Sequence, residues 1–196
     1  MYKNINTLLL ATAALAAPTT EPGAGCETCA SKALKMSEWT ILNMQYNASH
    51  VYTTPAHNFG QATVRFDLVN PITQSKRICE GRSDNYFTDT FFDGTQVFKC
   101  KEDAEGDGKE VNDTTFRFST AGKKLVVDQN FECPGGSAQY APHGEAELQE
   151  RFGCVVDDYK NPNWTDVPGE QIYKSLTENC GPMDTAFKVT LEYVNA

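Results

Sequence analysis

No run of Lys or Arg occurs anywhere in the chain. A partner dense in phosphate needs such a run for its affinity, so nucleic acid is not an expected partner. An anionic membrane surface is set aside for the same reason. After the first sixteen residues there is also no apolar stretch approaching the roughly 20 residues that span a bilayer. The G-x-S-x-G turn of serine hydrolases is missing, and no βαβ pattern follows the one C-x-x-C, Cys26-Glu27-Thr28-Cys29. Histidine is scarce. His50, His57 and His143 each lie among turn-forming or polar residues, with no adjacent nucleophile to activate. A zinc site built on the C-x-x-C pair lacks a second close pair of ligands. The expectation is no catalytic residue, no metal and no cofactor.

The N-terminus has an order of its own. Lys3 precedes the apolar stretch from Leu8 to Leu15, and Ala14-Leu15-Ala16 fits a small-x-small cleavage signal. Residues 1–16 read as a signal peptide for export, residues 17–36 as a tether with two cysteines, and residues 37–196 as a single domain. Loss of Lys3 with the leader leaves 16 basic against 26 acidic side chains, a net charge of −10. Seven cysteines on an oxidising route read as a disulfide framework, and the odd count leaves one thiol over. Three sequons would place Asn47, Asn112 and Asn163 on the surface of an exported chain.

The dominant period is two. Ala62, Val64, Phe66 and Leu68 alternate with polar residues, as do Phe116 and Phe118, then Leu125, Val127, Gln129 and Phe131. Ala146, Leu148, Glu150 and Phe152 form another set, and Phe187, Val189, Leu191 and Tyr193 a last one. Side chains on a strand alternate between faces, so each set predicts one buried and one wet face. Trp39 to Met44 predicts a further strand with Trp39 and Ile41 inward, and Thr95 to Lys99 a short one. Turn chemistry separates these pieces at Asn70-Pro71, Asp93-Gly94, Ala121-Gly122, Pro134-Gly135-Gly136 and Pro142-His143-Gly144. Only Ala30 to Met36 reads as helix. Glu102 to Asp113 and Val155 to Asn179 read as irregular. The fold class is therefore all-β, an antiparallel barrel or sandwich stabilised by disulfides.

The strands and cysteines follow one another in a distinctive order. Cys26 or Cys29 precedes an opening aromatic strand (Trp39-Thr40-Ile41), and Cys79 follows the second strand. Val97-Phe98-Lys99-Cys100 is an aromatic strand ending in cysteine, and six residues separate Cys180 from Phe187-Lys188-Val189. This order resembles the Alternaria major-allergen family of secreted fungal β-barrel proteins. The resemblance implies Cys79–Cys100 and Cys154–Cys180 disulfides. It also implies a dimer bonded through an N-terminal cysteine, here Cys26 or Cys29. The second pair competes with Cys133–Cys154. If Leu125–Cys133 and Glu145–Cys154 made one hairpin about Gly135-Gly136, Cys133 and Cys154 would sit about 30 Å apart at 3.3 Å per residue. A disulfide needs Cα atoms within about 7 Å. A separate strand at Ala138 to Ala141 would remove that objection. Cys26, Cys29 and Cys133 stay open for a further internal or an intermolecular bond.

Two other chemistries are weighed. Asp103-x-Glu105-x-Asp107-Gly108 imitates the start of a calcium loop, but Thr114 stands at its twelfth position and no helices flank it. Glu145 and Glu147 share a strand face and would suit a hydrolase only across a cleft. Tyr86-Phe87 and Phe91-Phe92 would form a contact patch if exposed. The resemblance implies a secreted fungal interaction or effector-type protein, without catalysis, that binds a host extracellular protein or a small ligand. The alternatives are a small hydrolase with an acidic cleft and a lipocalin-like carrier with an internal cavity.

Overall fold

Alternating side chains make strands, and the turn residues send each strand back along its predecessor. The structure, a computed structural model, describes residues 28–84, 90–103, 110–133, 135–148, 152–165 and 171–194. The expected signal peptide, Cys26 and the Tyr86-Phe87 pair lie outside them. One short helix, α1 (Cys29–Ala33), precedes ten strands. These are β1 (Glu38–Thr54), β2 (His57–Val69), β3 (Lys76–Ser83), β4 (Phe98–Glu102), β5 (Glu110–Ser119), β6 (Lys124–Gln129), β7 (Phe131–Glu132), β8 (Gln139–Glu147), β9 (Cys154–Lys160) and β10 (Lys174–Val194).

All strand pairings are antiparallel, and the sheet closes. β1 to β6 follow one another, β8 lies beside β6, and β10 joins β8 to β1. Eight strands thus form a barrel, which settles the choice between barrel and sandwich. β10 has 21 residues and serves three neighbours. Its first part pairs with β9, from Lys174↔Lys160 to Cys180↔Cys154, and its last part with β8, from Val189↔Gly144 to Val194↔Gln139. β9 therefore extends the sheet where β8 no longer reaches.

Side chains fill the interior. Trp39, Ile41, Val64, Phe66, Leu68, Phe116 and Leu125 have no measurable exposure. Each such side chain contributes about 1.5–3 kcal/mol through burial. Rings pack edge to face, Phe66 on Phe116 at 5.0 Å and Trp39 on Phe187 at 5.7 Å between centroids. In β1 the inward set changes parity, from Trp39 and Ile41 to Met44, Tyr46 and Ala48. The change falls at Asn43, with φ of 54°, where the pairing with both neighbours is irregular. A β-bulge produces such a change of face.

One end of the barrel is plugged by Phe91 and Phe92, both buried. Phe92 packs against Tyr46, Phe98 and Phe118. At the other end α1 seats Ala33 against Cys133 and Tyr140. A polar chain lies there too. Buried Asn70 donates to Gln129 at 2.8 Å, Gln129 donates to Thr114 at 3.1 Å, and Asn70 Oδ1 accepts from the amide of Ile72. Each buried polar group in that chain is thereby satisfied, which avoids a cost of about 1–3 kcal/mol per orphan.

Several expectations are corrected. Pro142-His143-Gly144 is mid-strand in β8. Pro142 pairs with Leu191 of β10, and on its other side it stands at the gap in pairing between β6 (Asp128↔His143) and β7 (Phe131↔Tyr140), a break that tolerates proline. Gly144 is there because the Phe187 ring lies where a Cβ would be. The supposedly irregular Val155 to Asn179 supplies β9 and the start of β10, and β5 begins inside the other irregular segment, at Glu110. The short strand expected at Thr95 to Lys99 starts later, at Phe98.

Two outcomes follow. Gly144→Val should lower stability by about 1–3 kcal/mol, the usual cost of overpacking a filled core. A denaturant midpoint equal to that of the parent would contradict the packing of Phe187 on Gly144. Peptide mapping under non-reducing conditions should recover a Cys29–Cys133 linked peptide. Recovery of Cys29 unlinked to Cys133 would refute the seating of α1.

Candidate binding face

The sulfur framework positions everything near the candidate site. Cys79–Cys100 and Cys154–Cys180 form as the resemblance implies, each between direct cross-strand neighbours. The third bond is Cys29–Cys133, across 104 residues of sequence. Cys29 is therefore not the cysteine of an intermolecular bond, a correction to one of its two expected roles. Among the described residues all six cysteines are paired.

Beside the closed barrel, β9, β10, β1, β2 and β3 present an outer face arranged in cross-strand rows. One row runs Val155, Asn179, Asn47, Thr63 and Arg82. The next runs Asp157, Thr177, Ser49 and Gln61, and a third runs Tyr159, Ser175, Val51 and Phe59. The middle is a groove of about 490 Å³ whose floor is amide and hydroxyl groups, with Arg82 and Asp84 at one side. Tyr159 and Phe59 stand at the ends of the third row, 48% and 47% exposed.

β9 itself is different from the other strands. All seven of its residues are exposed, including Val155 at 73% and Val156 at 58%. One edge pairs with β10, and among the described residues the sheet order ends at the other. Cys154–Cys180 clamps one end, and Lys174 pairs with Asp158 at 3.1 Å near the opposite end. An apolar sheet edge held in place this way is a template for another chain.

The other sequence candidates scatter. His143 Nδ1 lies 2.7 Å from Asp128 Oδ1 on the outside of the barrel, and Lys124 donates to Glu145 at 2.6 Å. That lysine holds the Glu145 carboxyl below its ordinary range. Glu147 lies further along the same exposed strand face. His57 opens β2, 3.2 Å from the Thr54 hydroxyl, and the His50 ring packs on Phe91 at 4.5 Å. Phe91 and Phe92 are buried and so form no exposed patch. Of the calcium-like loop, Asp103 pairs with Lys76 at 3.3 Å and Thr114 is buried, while Glu105, Asp107 and Gly108 lie outside the described residues. Cys154, Glu178 and Cys180 bring three ligand atoms together, but the two sulfurs are bonded to each other. Asn47 and Asn163 are exposed; the Asn112 side chain is outside the described set. The face on β9 and β10 was not anticipated. A strand wet on both sides has no apolar period to reveal it.

Tyr46 links the barrel to this region. It is buried against Phe92, Phe118 and Phe152, opposite Cys180 on β10. Burial raises its phenol well above the ordinary range, and Glu178 raises it further.

No family profile matches the chain, and no curated protein sequence matches it. It is similar to crystal structures of Alt a 1, the major allergen of Alternaria alternata. One covers 79% of this chain and 88% of that one, at 11% identity and a TM-score of 0.34. Another covers 81% and 96%, at 11% identity and a TM-score of 0.35. The assignment as a closed, disulfide-bonded β-barrel stands on this chain's own pairings and sulfur bonds.

The raised Tyr46 phenol has a signed consequence. An exposed tyrosine ionises near pH 10. Below that pH the neutral phenol suits both states, and the stability is fully present. Above it unfolding releases a group that ionises more readily, so stability falls as pH rises. The loss of denaturant midpoint between pH 9 and pH 11 should be smaller in Tyr46→Phe than in the parent. An equal loss in both would refute the assignment.

Proposed function

We propose that this is an exported interaction protein, a disulfide-stabilised barrel that presents β9 and its edge to another extracellular protein. The observation that carries the reading is β9: seven exposed residues with apolar Val155, Val156 and Tyr159, anchored by Cys154–Cys180. Exposed apolar and aromatic side chains on a fixed edge are the usual material of a protein contact. Addition of an extended strand supplies main-chain hydrogen bonds, and side-chain contacts supply selectivity. Export is supported by the leader-like residues 1–16 and by three disulfides, the chemistry of an oxidising compartment.

The filled interior directs attention outward. Trp39, Phe66, Phe116 and Leu125 occupy the space that a lipocalin-like carrier would need for its ligand. A hydrolase would have to work from groups such as Glu145, which Lys124 already engages. The partner in this reading is a host extracellular protein of the kind the family resemblance implies. Cys26, the seventh cysteine, is the remaining candidate for a bond between two copies.

Two measurements test this. Purified, disulfide-intact protein is screened by biolayer interferometry against an array of host extracellular proteins. Val156→Lys with Tyr159→Glu should weaken each specific contact at least tenfold with an unchanged circular dichroism spectrum, and Phe66→Leu should not weaken it. Equal binding by the β9 variant would refute the contact surface. On a non-reducing gel the parent should run as a covalent dimer that disappears in Cys26→Ser; only monomer in the parent removes the dimer from the proposal.

A further inference from the structure

Asn47 lies at the centre of the polar outer face. It points outward from the middle of β1, flanked by Asn179 on β10 and Thr63 on β2. Ser49, the hydroxyl residue of the Asn47-Ala48-Ser49 sequon, lies on the same face because strand side chains repeat every two residues. The sequon is thus displayed as a unit in the groove.

We infer that an N-linked glycan on Asn47 is the occupant of this groove. The groove's chemistry is that of a seat for sugar. Its floor of Ser49, Gln61, Thr63, Thr177 and Asn179 offers uncharged amide and hydroxyl partners for hydroxyl groups. The volume of about 490 Å³ falls in the range of small-molecule sites, about 300–1,000 Å³. The covalent link at Asn47 holds the sugar over the floor at high effective concentration, so weak contacts suffice. Asn163 is exposed too, but it lies in the turn after β9, where its backbone N–H donates to the Asn161 side chain at 3.0 Å, and it does not line the groove. Seated on the groove, the Asn47 glycan shields the outer face of β10, β1 and β2 and leaves the β9 edge as the uncovered protein surface.

The inference rests on the export reading, because this modification is added in the secretory pathway. The full chain is therefore expressed in yeast with its own N-terminal residues, and glycopeptides are mapped from the protein in the medium. Asn47 should be occupied, and Ser49→Ala should remove that glycan alone. Endoglycosidase should release the Asn47 glycan at least tenfold more slowly from native than from denatured protein. Asn179→Ala with Thr177→Ala, both on the groove floor, should speed native release several-fold. Secreted protein with bare Asn47 overturns this inference and leaves export standing. An Asn47 glycan released equally fast in both states overturns the seating. Retention of the whole product inside the cell overturns export and this inference together.

Discussion

The pairing of β8 with the last part of β10 is the contact on which the architecture depends. It joins residues near the end of the chain to a strand already paired with β6, and so removes two edges at once. The closed wall then has an inside, and large side chains from every quarter of the sheet fill it. Because β10 runs on past β8, the same contact sets where closure stops. Beyond that point β10 gains one new neighbour, β9, whose residues are exposed on both faces.

The three disulfides act on different parts of this plan. Cys79–Cys100 and Cys154–Cys180 join register partners on adjacent strands, across separations of 21 and 26 residues. Cys29–Cys133 spans 104 residues and fastens α1 across one end of the barrel. In the chain-entropy account a loop of about 100 residues gains about 4.7 kcal/mol and one of about 15 residues about 3 kcal/mol. The long bond therefore restrains the unfolded chain most. Cys154–Cys180 acts locally instead. It holds the start of β9 against β10, where no apolar packing on either side of β9 would do so.

Much of the fold was legible because burial leaves a period. Phe66, Phe116, Leu125 and Phe187 were assigned inward from alternation alone, and each is buried. The reading failed where another constraint overrode local chemistry. Pro142 and Gly144 carry the signature of a turn, yet Gly144 is needed for the Phe187 ring and Pro142 falls at a ladder break. β9 carried no signal because neither of its faces is buried. The Cys29–Cys133 bond was one of several open pairings, since its partners meet only after the intervening strands have formed. Of the candidate face, Asn47 was visible as a sequon, but its flanking by Asn179 and Thr63 depends on register.

An exposed apolar edge invites uncontrolled pairing, and the composition of β9 limits which chains can join it. Asp157 and Asp158 occupy its middle. A second β9 laid antiparallel about either residue, or about the point between them, would set carboxylate directly against carboxylate. Like charges opposed across a strand pair are destabilising, and the net charge of −10 expected after export adds repulsion at longer range. Both effects weigh against edge-to-edge association of two copies. A partner strand with Lys or Arg opposite Asp157 and apolar side chains opposite Val155 and Tyr159 meets neither objection. In the proposed reading the edge would thus discriminate by charge and favour a basic, extended segment of a different protein.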